Sequence, residues 1–222
     1  MNDSVRPDLK AIYDRRFAAL SDYRRGVWAI LVREFFQPLI PEHGAVLDLG
    51  CGWGEFVNQI RAKRRFGMDM NRSSLDHLDE GVVFLHQDCS EPWALEDSSL
   101  DAVFTSNHLE HLPDKDRLRA TLMEGFRCLK SGGRIICVGP NIKHLPGAYW
   151  DFWDHFVPLT ELSLKEVLEL VGFRVERCVG RFLPYTMTTG FRWPLWTVWL
   201  YLKLPFLWRW HGKQFLLIAV KP

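Results

Sequence analysis

Short apolar runs recur along the chain, and several of them stop at glycine or at a carboxylate. AVLDLG (45–50), RFGMD (65–69), VVFLHQD (82–88), LDAVFTS (100–106), RIICVG (134–139), FRVERCVG (173–180) and QFLLIAV (214–220) read as seven strands. The segments between them carry apolar positions at helical spacing. Residues 8–36 read as helix, with a break and a new N-cap at Ser21 and Asp22, and Pro38 and Pro41 end this region. Further helices are predicted over 55–64, over 115–129 with a turn at Ser131-Gly132-Gly133, and over 163–171, where Gly172 closes the helix. Strands that alternate with helices imply an α/β architecture, a parallel sheet covered on both faces. No convincing helix separates the last two strands, so the seventh is expected to insert antiparallel beside the sixth.

At 222 residues the chain is long enough for one domain with appendages. Its division would be N-terminal helices over 1–43, a core sheet from 44–182 and 214–222, and a connector over 183–213. Hydrophobic residues at 47% and charged residues at 25% exclude wholesale disorder. The net charge of +1 excludes a protein that coats nucleic acid through global basicity. The five cysteines form no CxxC pair, which argues against a structural zinc site or a disulfide scaffold and for a reducing, cytoplasmic setting. The first twenty residues contain no long apolar run of the secretory type.

Charge and tryptophan are unevenly spread. After Glu176 no acid occurs, yet Arg177, Arg181, Arg192, Lys203, Arg209, Lys213 and Lys221 follow. Five of the ten tryptophans fall between Trp193 and Trp210. The stretch FRWPLWTVWLYLKLPFLWRW is too short and too interrupted by Pro194, Lys203 and Pro205 for a bilayer span. Trp with Arg and Lys is also what interfacial segments use. Three readings stand: a packed cap or homodimer contact, an interfacial patch at the inner face of a membrane, or a loose lid.

The motif richest in chemistry is Asp48-Leu49-Gly50-Cys51-Gly52-Trp53-Gly54, which joins the first strand to the next helix. Glycines there let the backbone turn tightly and let a ligand approach it. The spacing is GxGxG, and Glu55 stands where a dinucleotide-binding fingerprint has its third glycine, which disfavours an NAD enzyme. Asp48 suits an amino-bearing ligand better than a pyrophosphate, or it holds the loop's N–H groups. Asp69, nineteen residues after Gly50, stands where an acid binds ribose hydroxyls, or serves as a turn acid. Asp88 can accept from an exocyclic amine, or cap a turn. Together the three carboxylates at strand ends suggest a nucleoside that bears an amino acid in place of phosphates. Cys51 also reads as a small buried cysteine.

DLGCGWG, Asp69, Gln87-Asp88, FTSNHLEHL and RCLKSGG, taken in that order, resemble the class I S-adenosylmethionine-dependent methyltransferases, over residues 44–180. The likeness lies with the broad methyltransferase-domain group that includes ubiquinone-biosynthesis-type and bacterial sugar and natural-product enzymes. It implies a Rossmann-like seven-stranded sheet in order 3-2-1-4-5-7-6 with strand 7 antiparallel. It also implies S-adenosyl-L-methionine as cofactor. The methionine part would lie at Gly50, Cys51, Gly52 and Gly54, the ribose at Asp69, and the adenine near Met70, Asp88 and Cys89. Asn107 and His108, after the fourth strand, would touch the methionine part and line the acceptor pocket.

The acceptor then sits over the ends of the fourth and fifth strands, beside Ser106–His111 and Pro140-Asn141. His111 is a candidate general base, or a residue that packs under its loop. His155, in Tyr149-Trp150-Asp151-Phe152-Trp153-Asp154-His155-Phe156, is the second candidate, or part of an aromatic lid. Arg24 and Arg25 are cations within reach of a cofactor carboxylate, or a solvated face. The expected function is methyl transfer to a small or carrier-linked acceptor, as O-methylation in a sugar, polysaccharide or other secondary pathway, the sugar guess resting on the likeness of residues 139–172 to such enzymes. A quinone or lipid acceptor is the alternative, and a non-catalytic cofactor-binding module is the alternative of another class. No metal and no nucleic-acid partner is expected.

Overall fold

The apolar runs lie side by side in one sheet. The structure, a computed structural model, describes residues 11–12, 20–185 and 192–222; the expected helix over 8–20 falls mostly outside them. The strands are β1 (Ala45–Leu49), β2 (Arg64–Asp69), β3 (Val82–His86), β4 (Leu100–Ser106), β5 (Leu129–Pro140), β6 (Arg174–Val179) and β7 (Gln214–Val220). Their order is 3-2-1-4-5-7-6. All neighbours are parallel except β7, which runs antiparallel to both β5 and β6. Fold class, strand order and the antiparallel β7 are as the sequence and its resemblance imply.

All five residues of β1 and all seven of β7 are buried. Successive side chains point to opposite faces, so each central strand serves two cores. Leu47 and Leu49 belong to one cluster, with Leu118 and Leu122 of the helix α2 (Lys115–Cys128) and Leu164 and Leu168 of α3 (Glu161–Val171). Val46 belongs to the other, with Leu31 at the end of α1 (Ser21–Leu31), Phe36 and Phe56. Asp114 caps α2 by accepting from Arg117 N–H at 2.8 Å. Thr160 and Ser163 form a reciprocal cap on α3, and Gly172 ends that helix in the left-handed region at φ 116°.

Four elements differ from expectation. After α1 the backbone widens into one π-helical turn, Val32–Phe36, instead of continuing as α-helix. Ser131–Gly133 does not form a free turn: β5 begins at Leu129, and a bulge between the pairings of Leu100 and Ala102 absorbs the glycines. In place of the helix expected over 55–64, residues 55–59 form turns, 60–63 are irregular and Arg64 already belongs to β2. The Arg65 guanidinium takes the carbonyls of Val57 and Asn58, and the Arg61 N–H bonds Gln37 Oε1, so the helical ladder is broken from outside. Among its described residues, the stretch between β6 and β7 contains two helices, α4 (Leu195–Lys203) and α5 (Pro205–His211). They lie on the α1 face of the sheet. Leu202 and Trp208 enter the second cluster, Trp208 Nε1 donates to Tyr201 O at 2.9 Å, and Lys203 pairs with Glu34 at 2.9 Å.

Candidate functional site

The parallel strands β1, β2, β3, β4 and β5 end on one edge of the sheet, and most of the candidate residues gather there. Gly50, Gly52 and Gly54 have φ of 73°, 53° and 75°, left-handed values that only glycine adopts at no cost. Gly50 and Cys51 both donate their N–H to Met68 O, at 2.9 and 3.0 Å. A Cβ on Gly50 would overlap the His108 imidazole. The loop is thus a bare backbone ribbon pressed between β2 and the segment after β4.

Asp69 is tied to this ribbon. Its Oδ2 accepts the Gly52 N–H at 2.9 Å and its Oδ1 accepts the Asn71 N–H at 2.7 Å. A carboxylate oxygen can accept more than one hydrogen bond. Asp48 is buried under the loop. Desolvation pushes its carboxyl well above the usual range, the charges of Glu55 and Asp69 add to this, and the Val57 N–H opposes them. A cation brought close to Asp48 would restore its charge. Glu55 itself bonds Arg24 of α1 at 2.7 Å, which ties the N-terminal helix to the loop. Glu55, which in the sequence only disfavours a dinucleotide, is thus part of the loop's anchorage.

Asp88 Oδ1 accepts from the N–H and the hydroxyl of Ser90, and its Oδ2 from Arg117 at 3.1 Å. The turn-capping reading of Asp88 therefore describes its geometry here. Met70 lends its carbonyl to His86 at 3.0 Å. Cys89 is buried, its thiol 3.3 Å from His108 Nε2 and its carbonyl bonded by Trp93 Nε1. Burial pushes the Cys89 thiol up to about 12 and the Cys51 thiol well above its ordinary value, so both stay protonated. Desolvation drives His108 down to about 4, with repulsion from His111 adding to it. His108 is a neutral ring near neutral pH.

Asn107 stands out on two independent grounds. It is in the left-handed region at φ 50°, which few non-glycine residues occupy. Its Oδ1 is buried and meets no donor among the described residues, while its Nδ2 donates to Ser106 Oγ at 3.1 Å. An unmet buried acceptor at the end of β4 is suited to a donor supplied by a ligand. Asn141, after β5, is spent on structure instead, since its Nδ2 donates to Glu161 Oε2 at 2.6 Å and to Gly180 O at 2.9 Å.

The two candidate histidines meet. The His111 and His155 rings are 4.8 Å apart, edge to face. His155 is 5% exposed, stacked on Phe152 and flanked by Tyr149. The His111 side chain is 25% exposed. Its Nδ1 lies 2.8 Å from the carbonyl oxygen of Asp154 and 3.3 Å from that residue's Oδ2. Both are acceptors, so Nδ1 carries the hydrogen and Nε2 keeps the lone pair of the neutral ring. Burial opposes charge on His111, but Asp154 and then Glu110 outweigh it, and its pKa lies above the ordinary 6.5. The acid next to His155 in sequence thus faces His111 in space, a pairing across 43 residues that no local signal betrays. Among the described residues, Glu110, His111 and His155 each also place one potential ligand atom within 4.8 Å of the others, a nitrogen and oxygen set of the kind first-row metals use.

A family profile described as a methyltransferase domain matches residues 46–133, from β1 through the Ser131–Gly133 bulge. A probable S-adenosylmethionine-dependent methyltransferase of Mycolicibacterium smegmatis is 33% identical over 144 residues, 62% of this chain and 54% of that protein. The ubiquinone/menaquinone biosynthesis C-methyltransferase UbiE of Bartonella tribocorum is 28% identical over 71% of this chain and 66% of its own length. The chain therefore spans between half and two thirds of these two relatives. The crystal structure of a SAM-dependent methyltransferase from Archaeoglobus fulgidus superposes with a TM-score of 0.67 at 25% identity, covering 89% of this chain and 94% of that one. With the 3-2-1-4-5-7-6 sheet, the left-handed glycine loop and the acid at the end of β2, these likenesses agree: residues 46–133 match a methyltransferase domain, and the chain is similar in sequence and fold to the class I S-adenosylmethionine-dependent methyltransferases.

Proposed function

We propose that the chain transfers a methyl group from S-adenosylmethionine to a hydroxyl of a small or carrier-linked acceptor held over the ends of β4 and β5. The observation that supports this most is the glycine loop itself, three left-handed residues whose middle N–H is fixed by Asp69. The bare ribbon at Gly50, Cys51, Gly52 and Gly54 would take the methionine part, Asp69 the ribose hydroxyls, and the segment Met70, Asp88 and Cys89 the adenine. The ammonium group of the methionine part meets the needs of two groups, the buried carboxyl of Asp48 and the unmet Oδ1 of Asn107. The neutral ring of His108 then packs against the ribbon without adding charge.

The cofactor supplies a methyl group on a sulfonium, already a strong electrophile. What this chain adds is alignment, exclusion of water and acceptance of a proton. His111 Nε2 takes the proton from the acceptor hydroxyl, and Asp154 stabilises the imidazolium that results. His155, enclosed by Phe152 and Tyr149, positions His111 by ring contact. A sugar or polysaccharide acceptor is the reading carried from residues 139–172. The UbiE relatives favour a second one, carbon methylation of a quinone or another lipid.

Isothermal titration with S-adenosylmethionine and its demethylated product, beside NADH, tests the cofactor. Micromolar binding of both sulfur nucleosides and none of NADH is the expected result, and absence of binding refutes the reading. Turnover screens with nucleotide sugars, polyprenyl-linked glycans and demethylated quinones then separate the acceptor classes. Binding without turnover on any of them, with His111→Ala indistinguishable from wild type throughout, would favour a non-catalytic binding module.

A further inference from the structure

The connector between β6 and β7 buries only one side of its helices. On α4, Leu202 is buried, whereas Trp196, Trp199, Leu200 and Lys203 lie outward at spacings of three and four residues, Trp196 being 65% exposed. On α5, Trp208 turns inward and Leu207 is half-buried, while Phe206, Arg209 and Trp210 turn outward, Trp210 being 78% exposed. A helix on the surface of a soluble domain is polar on its outer face. These two are apolar on both. Exposed aromatic groups in this number mark a contact surface rather than ordinary scatter.

The charge around this face is mostly positive, with Glu34 paired to Lys203 and Glu161 lying against Gly180. No Asp or Glu occurs after position 176. Beside Trp210, an open groove is lined by Val179, Gly180, Arg181 and Arg209, so that two guanidinium-bearing residues flank one indole. Lys213 is exposed just beyond α5. Indoles at the boundary with Arg and Lys next to them are the composition of a segment that lies in the headgroup layer of a bilayer. No helix among the described residues is long and apolar enough to cross one. We propose that the outer faces of α4 and α5 dock the protein on an anionic phospholipid surface, with Trp196, Trp199, Phe206 and Trp210 in the interface and the Arg181–Arg209 groove on a phosphate headgroup. The connector returns to the sheet at Gln214, which pairs with Pro140 at the end of β5, so docking brings the acceptor side of the domain near the membrane. The inference deepens the methyl-transfer reading by placing a lipid-embedded or lipid-linked acceptor within reach, but the surface itself stands apart from that reading.

The test is co-sedimentation of the full chain with vesicles of phosphatidylcholine alone and of phosphatidylcholine with phosphatidylglycerol at a ratio of about seven to three. The expected result is binding at least about tenfold tighter to the anionic vesicles. It should weaken at least fivefold in Trp196→Ser/Trp199→Ser and in Arg209→Glu, with thermal unfolding and S-adenosylmethionine affinity unchanged. Soluble glycerol phosphate at millimolar concentration should leave vesicle binding in place. Failure to bind vesicles, equal binding to both, or displacement by glycerol phosphate overturns the proposal. So does a dimer in sedimentation equilibrium that Trp196→Ser/Trp199→Ser dissolves, because the face then belongs to a second copy. Vesicle binding without cofactor binding would sink the methyl-transfer reading and leave the docking surface standing.

Discussion

Replacing Asp154 with Asn removes a charge from His111 and leaves the ring where it is. The Asp154 carbonyl, 2.8 Å from Nδ1, belongs to the backbone and survives the substitution, so the tautomer and the orientation hold. What is lost is a carboxylate 3.3 Å from that nitrogen. Two unit charges at that separation attract by about 5 kcal/mol at an effective dielectric of about 20. Solvent reaches the quarter-exposed His111 side chain, and a neutral amide still bonds it. The surviving difference is about 1–2 kcal/mol, the gap between a charge-assisted and a neutral hydrogen bond.

The sign follows from the linkage. In the native chain His111 holds its proton to higher pH than a free imidazole, because Asp154 and Glu110 outweigh burial. The stability from this pair is complete below about 6.5, the ordinary pKa of histidine, and is lost as pH rises through the higher native value. In Asp154→Asn the His111 midpoint moves down. The acid limb of the turnover profile moves to lower pH with it, and the plateau rate falls about three- to tenfold because the base is weaker. Histidine labelled at Cε1 and titrated by NMR reads the midpoint without knowledge of the acceptor, with His111→Gln to assign the signal. A midpoint that stays in place or rises in Asp154→Asn refutes the pairing.

Asn107→Gly should keep the fold, with stability within about 1 kcal/mol of the parent because glycine accepts φ 50° freely, yet weaken S-adenosylmethionine about tenfold or more by removing a buried acceptor; calorimetry that finds unchanged affinity excludes Asn107 from the site. Trp208→Ala should cost about 3–5 kcal/mol in urea unfolding, since Trp208 is buried against Phe35 and Phe182, whereas exposed Trp196→Ser should stay within about 0.5 kcal/mol. Equal effects would mean that α5 is not part of the core. Between pH 6.5 and about 4 the unfolded chain protonates residue 108 and the native chain does not, so stability should fall as pH falls through that window. His108→Gln should flatten this slope in acid-unfolding series, and an unchanged slope would show that His108 is accessible to protons.

The sheet was legible because its signal is local. A run such as AVLDL or QFLLIAV, apolar at consecutive positions and bounded by polar or turn residues, has few alternatives to a buried strand. The failure over 55–64 has the opposite origin. Phe56, Val57 and Ile60 are spaced for a helix, but the bonds that decide the backbone come from Gln37 and Arg65 outside the window. The same limit applied to the site. Gly50–Gly54 and Asp69 could be read from motif spacing, whereas the partnership of His111 with Asp154 exists only once the fold brings β4 and the loop after β5 together. Trp196 and Trp208 are indistinguishable by composition, and only the packing of α4 and α5 sends one outward and the other into the core.

The position of β7 has a consequence for how the protein is made. β7 is synthesised after every other strand of the sheet, yet it is fully buried with β5 on one side and β6 on the other. A nascent chain that has emerged only as far as α5 therefore exposes two open strand edges and a gap between them, and the sheet cannot close at that stage. Until residues 214–220 leave the ribosome, β5 and β6 offer backbone donors and acceptors to any strand at hand, including those of a neighbouring nascent chain. Stalling or truncation near residue 213 should therefore be damaging to yield through the loss of β7 alone, and holding chaperones should matter most in that interval.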